Sequence, residues 1–299
     1  MEYCGDCQGA PNTGVAQCAS VIKKTVGLFM VRRIADDGTA NTIDLSVSSL
    51  IDVDTYVNHA DPSKRWYPIM DLKGVSIPKS ETKYKTYSDD SKDKTSDGIY
   101  SFEGTLGSGQ PAGLVKNLDK AGCSDMAIFG VTISGSLYGE FVGTDLYPIQ
   151  INAFDPAGVF ATDENNAEIM IKFDLDNEFQ YGRLRQIQVT NFTYNPSLAA
   201  GLKNVNITYT TAASLTSTVS ITNDYGAGFA TQNVHGLVLA DFLLENVTTG
   251  LPVAITTVTE TPNTNYVLDY ASQTAGNILK LSTVINTKKY EGSATKEVA

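Results

Sequence analysis

Histidine is nearly absent from this chain: His59 and His235 are the only two in 299 residues. A Ser-His-Asp set or a histidine metal cluster therefore has almost nothing to be built from, and both read as loop or surface residues. Long apolar runs are missing as well, since no stretch approaches the ~18 residues of a membrane-spanning helix. The opening Met1-Glu2-Tyr3-Cys4-Gly5-Asp6-Cys7 has no basic start and no apolar run of ~7–15 residues, so no secretory leader is expected. Positive charge is scarce. Against 33 Asp and Glu stand 22 Lys and Arg, a net charge of −11, which disfavours affinity for phosphate backbones and anionic membranes.

Cysteine is limited to Cys4, Cys7, Cys18 and Cys123. Cys4 and Cys7 have the spacing of a zinc half-site, but the usual second pair is missing, so reduced thiols are the favoured reading and zinc the weak one. Gly9, Pro11, Asn12 and Gly14 make this start a turn-rich tail, which disfavours a redox Cys-x-x-Cys opening a helix. The glycine-rich Gly104-Thr-Leu-Gly-Ser-Gly-Gln-Pro lacks the Gly-Lys-[Ser/Thr] of a phosphate loop. Asp155, Asp163, Glu164, Asp174 and Asp176 are acids from which a glycosidase pair or a calcium site could be drawn. Asp174 and Asp176, however, alternate with apolar residues and define the solvent face of a strand, while Asp163-Glu164 sits in a turn. Asn191, Asn206 and Asn246 open N-x-[ST] sequons, read as chance in so Asn- and Thr-rich a chain. No catalytic residue, cofactor or enzymatic activity is expected.

What the chain does have is 42% hydrophobic residues, 25 Gly and 15 Tyr with only 18% charge, a balance that favours strands and tight turns over helices. Val26–Val31 reads as a strand, and Asp36-Asp37-Gly38 as the turn of a hairpin returning on it. Met126–Ile133 reads as a buried strand. Ile169, Ile171, Phe173 and Leu175 alternate with polar neighbours, the period of a half-buried strand. A helix is expected over 111–121, with Pro111 at its start, Gly122 past its end, and Leu114, Val115 and Leu118 as its apolar stripe. Residues 79–97 have hardly any large aliphatic side chain and read as a long exposed hairpin or loop. Arg65-Trp66-Tyr67-Pro68 and Leu146-Tyr147-Pro148-Ile149 each set an aromatic before a proline, which favours extended backbone.

Near Pro196–Gly201 the composition shifts, and a protease-sensitive boundary is expected there. The residues after it contain no Arg, Trp or Cys, and carry 7 acids and 5 bases, leaving 26 acids and 17 bases in residues 1–200. Short strands around Val205/Ile207/Tyr209, Val219/Ile221, Val253/Ile255, Tyr266/Leu268/Tyr270 and Ile278/Leu279/Leu281 suggest a sandwich. The expected organisation is a Cys/Gly-rich tail over 1–20, a β-sandwich or barrel with one flanking helix over 21–196, and a smaller immunoglobulin-like β-sandwich over 201–299.

Residues 1 to about 190 resemble the tail tube subunits of long-tailed bacteriophages. The resemblance rests on the Cys- and Gly-rich start with Pro11-Asn12-Thr13-Gly14, on Arg65-Trp66-Tyr67-Pro68, and on the charged excursion 79–97 followed by Gly98-Ile-Tyr-Ser-Phe-Glu-Gly104. The helix 111–121, and Leu146-Tyr-Pro-Ile followed by Phe154-Asp155-Pro156, complete it. It implies a virion protein made in the bacterial host cytoplasm, which assembles with itself into hexameric rings that stack, and which meets other tail proteins. In that family 79–97 would be an arm to the neighbouring ring and 201–299 an outer decoration. DNA would pass through without specific binding, and Asp174 and Asp176 are the candidate lumen-facing acids. No membrane partner is implied. A head-decoration or neck component, and a bacterial surface or carbohydrate-binding protein, are the alternatives.

Overall fold

A computed structural model describes residues 22–46, 49–107, 113–121, 125–163, 166–223, 232–261 and 265–299. Cys4, Cys7, Cys18, Cys123, Glu164, Pro111 and Gly122 lie outside the described residues, and with them the zinc and thiol readings. The chain is mostly β and divides into two compact units, one within residues 1–200 and one over Gly201–Ala299, the division running through the helix at Gly113–Ala121.

Unit 1 contains, in order, β1 (Thr25–Arg32), β2 (Ile43–Asp44), α1 (Val53–Val57), β3 (Tyr67–Ile69), β4 (Leu72–Ser76), β5 (Lys83–Thr86), β6 (Lys92–Ser96) and β7 (Ser101–Leu106). After α2 (Gly113–Ala121) come β8 (Met126–Thr132), β9 (Leu137–Val142), β10 (Asp145–Tyr147), β11 (Ile149–Val159), β12 (Glu168–Leu175) and β13 (Leu184–Ile187). Its centre is the antiparallel pair β1–β8, in register from Gly27 opposite Val131 to Arg32 opposite Met126, with a bulge between Gly27 and Thr25, which lies opposite Thr132. Every residue of β8 is buried, as are Leu28 to Val31 of β1, because strands covered on both faces must be apolar without alternation.

On its other edge β8 is shared. Ala127 and Ile128 pair with β11, and Gly130 and Val131 pair with β9, so the sheet forks into a branch β9-β10-β2, with β13 on β9, and a branch β11-β12-β7-β4. One face of the central pair packs Phe29, Val31, Phe129 and Val131 with Val53, Val57 and Trp66. The buried Trp66 ring stacks on Tyr56 at 4.3 Å and tilts against Phe129 at 4.9 Å and Phe29 at 5.2 Å. Pro68 sits in β3, which bonds only to β1, an edge position where its missing N–H costs no ladder bond.

Four expectations for this unit are corrected. The Asp36-Asp37-Gly38 turn forms, with Gly38 at φ +81°, and brings Ala40 back opposite Ile34 just past β1, but β2 beyond it does not pair with β1. It pairs with β10, Ile43 opposite Leu146, where the one large apolar residue of that segment becomes buried. The flanking helix α2 has a companion, α1, capped by the Asp52 carboxylate accepting from Asp54 N at 3.1 Å and buried through Val53 and Val57 one turn apart. Asp176 lies past the end of β12, in a turn whose Glu178 N donates to its carboxylate at 2.9 Å, so it does not continue the strand's polar face. Finally, Pro196–Ala199 is not an open linker: Pro196 and Ala199 are buried, and Asn195 Oδ1 accepts from Ser197 N at 3.0 Å.

Unit 2 holds β14 (Lys203–Asn204), β15 (Asn206–Ala212), β16 (Thr216–Asn223), β17 (Gln232–Asn233), β18 (Phe242–Asn246) and β19 (Leu251–Val253). They are followed by β20 (Ile255–Glu260), β21 (Asn265–Tyr270), β22 (Ile278–Thr283), β23 (Tyr290–Glu291) and β24 (Ser293–Glu297). Two antiparallel sheets, β15-β16-β21-β20 with β17 on β16, and β19-β18-β22-β24, make an immunoglobulin-like sandwich. Val219, Ile221, Tyr266 and Leu268 of one sheet meet Phe242, Leu244, Leu279 and Leu281 of the other in one core. Two of its tyrosine hydroxyls are satisfied inside it: Tyr266 donates to Val234 O, and Tyr270 to Ala213 O, each at 2.7 Å.

Candidate assembly site

Between β4 and β7, which pair directly with each other (Leu72 opposite Leu106, Lys73 opposite Thr105), the chain leaves the sheet and returns as the hairpin β5–β6. Tyr84 faces Lys94, Lys85 faces Asp93 and Thr86 faces Lys92, and every residue from Lys83 to Thr95 is exposed. The tip is a tight turn in which Tyr87 N donates to Ser91 O at 2.9 Å and Asp90 adopts φ +62°. Asp89 accepts from Ser91 Oγ at 2.6 Å and from Ser91 N at 3.1 Å, bonds that hold its carboxyl below the ordinary aspartate value. Lys85 lies 5.0 Å from the Tyr87 ring, and Lys94 pairs with Asp97. The strands themselves carry four lysines, on a unit that is otherwise acidic.

The root of this arm is fixed. Ser80 N donates to Ile99 O at 2.9 Å, Ser101 N to Pro78 O at 3.0 Å, and Lys79 Nζ lies 5.4 Å from the Tyr100 ring centre. Gly98 is required there, because a β-carbon would overlap the Ser80 carbonyl oxygen.

Under the root opens a cavity of about 280 Å³. Val75 and Ile77 wall it where the chain leaves for the arm, and Tyr100 and Phe102 where it returns; Tyr138, Ile149 and Leu175 close the far side. Thr25 Oγ1 and the Tyr138 hydroxyl, 2.8 Å apart, form its polar pair, and burial pushes the Tyr138 hydroxyl pKa up. Exposed Lys23 and Lys24 stand at the rim. Nothing in the sequence announced this cavity, because its walls come from segments far apart in the chain, Val75 and Ile77, Tyr100 and Phe102, Tyr138, Ile149 and Leu175.

Asp174 is on β12, half-buried, with its carboxylate accepting from Ser101 Oγ on β7 at 2.6 Å. Asp176 N is bonded to Gln150 O at 3.0 Å. The two acids thus occupy different settings at one end of β12. Asp155 lies on β11 opposite Lys172, and Gly104 lies inside β7, opposite Ile171. The histidines make local bonds: His59 Nδ1 accepts from Asp61 N at 3.1 Å, and His235 Nδ1 lies 2.8 Å from Glu260. Among the described residues, no three acidic, histidine or cysteine side chains converge on a metal-sized site, and no helix is long and apolar enough to cross a membrane.

Neither a known protein family nor a curated protein matches the chain. Among solved structures, a marsupial T cell receptor aligns at 8% identity over 77% of this chain and 99% of that one, with a TM-score of 0.20, too low a likeness to carry an argument.

Proposed function

We propose that this chain is a self-assembling structural subunit, and that the assembly is the tail tube of a long-tailed bacteriophage virion. The observation that carries the reading is the β5–β6 arm. Its backbone is ordered into a registered hairpin on a fixed root, yet its side chains bury nothing within the chain. An element that adds no core to its own unit is suited to gaining its stabilisation from a partner, and its nearly balanced charges, four lysines against Asp89, Asp90 and Asp93 between Lys83 and Thr95, leave a second copy of the same acidic chain able to take it. The sequence resemblance to tail tube subunits supplies the class of assembly, with the arm reaching a neighbouring ring and unit 2 as the outer decoration.

In this reading the excess acid of residues 1–200 lines the bore in part, where like charge weakens contact with passing DNA. Asp174, on the polar face of β12, remains the candidate lumen acid. Electron microscopy of the purified chain at high concentration is the test: stacked rings with a central, net-negative channel are expected. A net-positive bore, or a channel lined by unit 2, would reject the conduit and the orientation.

A further inference from the structure

We infer that Phe160 of one copy seats in the aromatic cavity of a second copy, as the head-to-tail contact of the assembly; the inference rests on the self-assembly reading above. Phe160 is 90% exposed just past the end of β11, beside Val159 at 41%. A single exposed aromatic is ordinary by itself. Here the same unit also holds an aromatic-lined cavity of about 280 Å³, and a dry cavity of roughly 150 Å³ already admits benzene.

The knob cannot reach the hole of its own chain. Ile149, at the start of β11, is a wall of the cavity, while Phe160 follows Val159 at the strand's far end. A bulge between Asn152 and Asp155 shortens β11, but on its partner β12 the cavity wall Leu175 and Glu168, opposite Val159, are seven residues apart, roughly 20 Å at about 3.3 Å each, and pairing of β12 with both β11 and β7 holds that ribbon extended. Charge agrees with the match: Lys23 and Lys24 rim the cavity, while Asp163 and Glu168 follow the knob. Knob and hole lie on different surfaces, so the contact is heterologous, and repetition of it closes a ring or extends a filament. The cavity walls include both roots of the arm, so seating a neighbour's ring there also braces the arm.

Sedimentation velocity and electron microscopy of wild type, Phe160→Asp and Phe160→Trp test this. The Phe160→Asp chain should keep its circular dichroism spectrum and weaken in self-association by about tenfold or more. The Phe160→Trp chain should assemble, its added emission shifting to the blue on assembly. Wild type that stays monomeric at high concentration overturns both this inference and the self-assembly reading. Should wild type assemble, Phe160→Asp chains that assemble equally well, or an added indole emission that stays at the wavelength of a solvent-exposed ring in the Phe160→Trp assembly, overturn the knob-and-hole contact alone.

Discussion

Lys288 Nζ lies 2.6 Å from the Asp241 carboxylate, pairing a base about one-third exposed with an acid that is buried. The same carboxylate accepts from Val238 N at 2.7 Å and from Asn286 Nδ2 at 2.5 Å, so one side chain ties the turn before β18 to the loop before β23. Burial pushes the carboxyl up, but these donors prevail and hold it below the ordinary aspartate value. Asp241→Asn should cost unit 2 about 2–4 kcal/mol at pH 7, read by chemical denaturation. A depressed acid stabilises the fold above its unfolded pKa of about 3.9 and loses that contribution as pH falls through the folded value. The gap between wild type and variant should therefore narrow below about pH 4; an equal gap at pH 7 and pH 3 would contradict the ion pair's role.

At the arm root, Gly98→Ala would drive a β-carbon into the Ser80 carbonyl, and backbone must yield. The expected result is faster proteolysis within 79–97, by several-fold, with the melting of the rest of unit 1 little changed. Unaltered cleavage would mean that the root tolerates the methyl.

Removal of Glu81–Ser96 should leave a soluble, folded chain, because β4 and β7 pair directly and the deleted segment adds nothing to the core. Size-exclusion chromatography is expected to show that it no longer polymerises. Normal tubes from this variant would defeat the arm's assignment.

Limited proteolysis of wild type should begin at the arm tip, Ser88–Ser91, and spare Pro196–Ala199, whose Pro196 and Ala199 are buried. First cleavage at Pro196–Ala199 would show that this turn opens locally.

Strands that obey one rule were legible in the sequence. β12 alternates and is buried on alternate residues, and β8 is apolar up to its last residue, Thr132, and uniformly buried. Where two demands compete, the pattern was hidden. β18 reads Phe-Leu-Leu-Glu-Asn with Leu243 left 54% exposed, so its period does not show. β24, Ser-Ala-Thr-Lys-Glu, is an edge strand whose partner β22 supplies the apolar residues. The short α1 bears two β-branched valines and a threonine among its five residues, poor helix formers that only Asp52 and burial of the valines override. The exposed arm was visible as an absence of aliphatic residues. Its root and the cavity were not, because both are products of pairing between distant strands.

The chain's single tryptophan, Trp66, is enclosed by Phe29, Tyr56 and Phe129 in unit 1, while unit 2 has tyrosines and no tryptophan. Excitation at the indole's red edge thus reports one half of the molecule, and tyrosine emission or far-ultraviolet dichroism reports both. Unfolding curves followed by the two signals would coincide if the halves melt as one cooperative body and separate if they melt in turn. The natural sequence therefore carries its own optical label for telling these cases apart, with no dye or added residue.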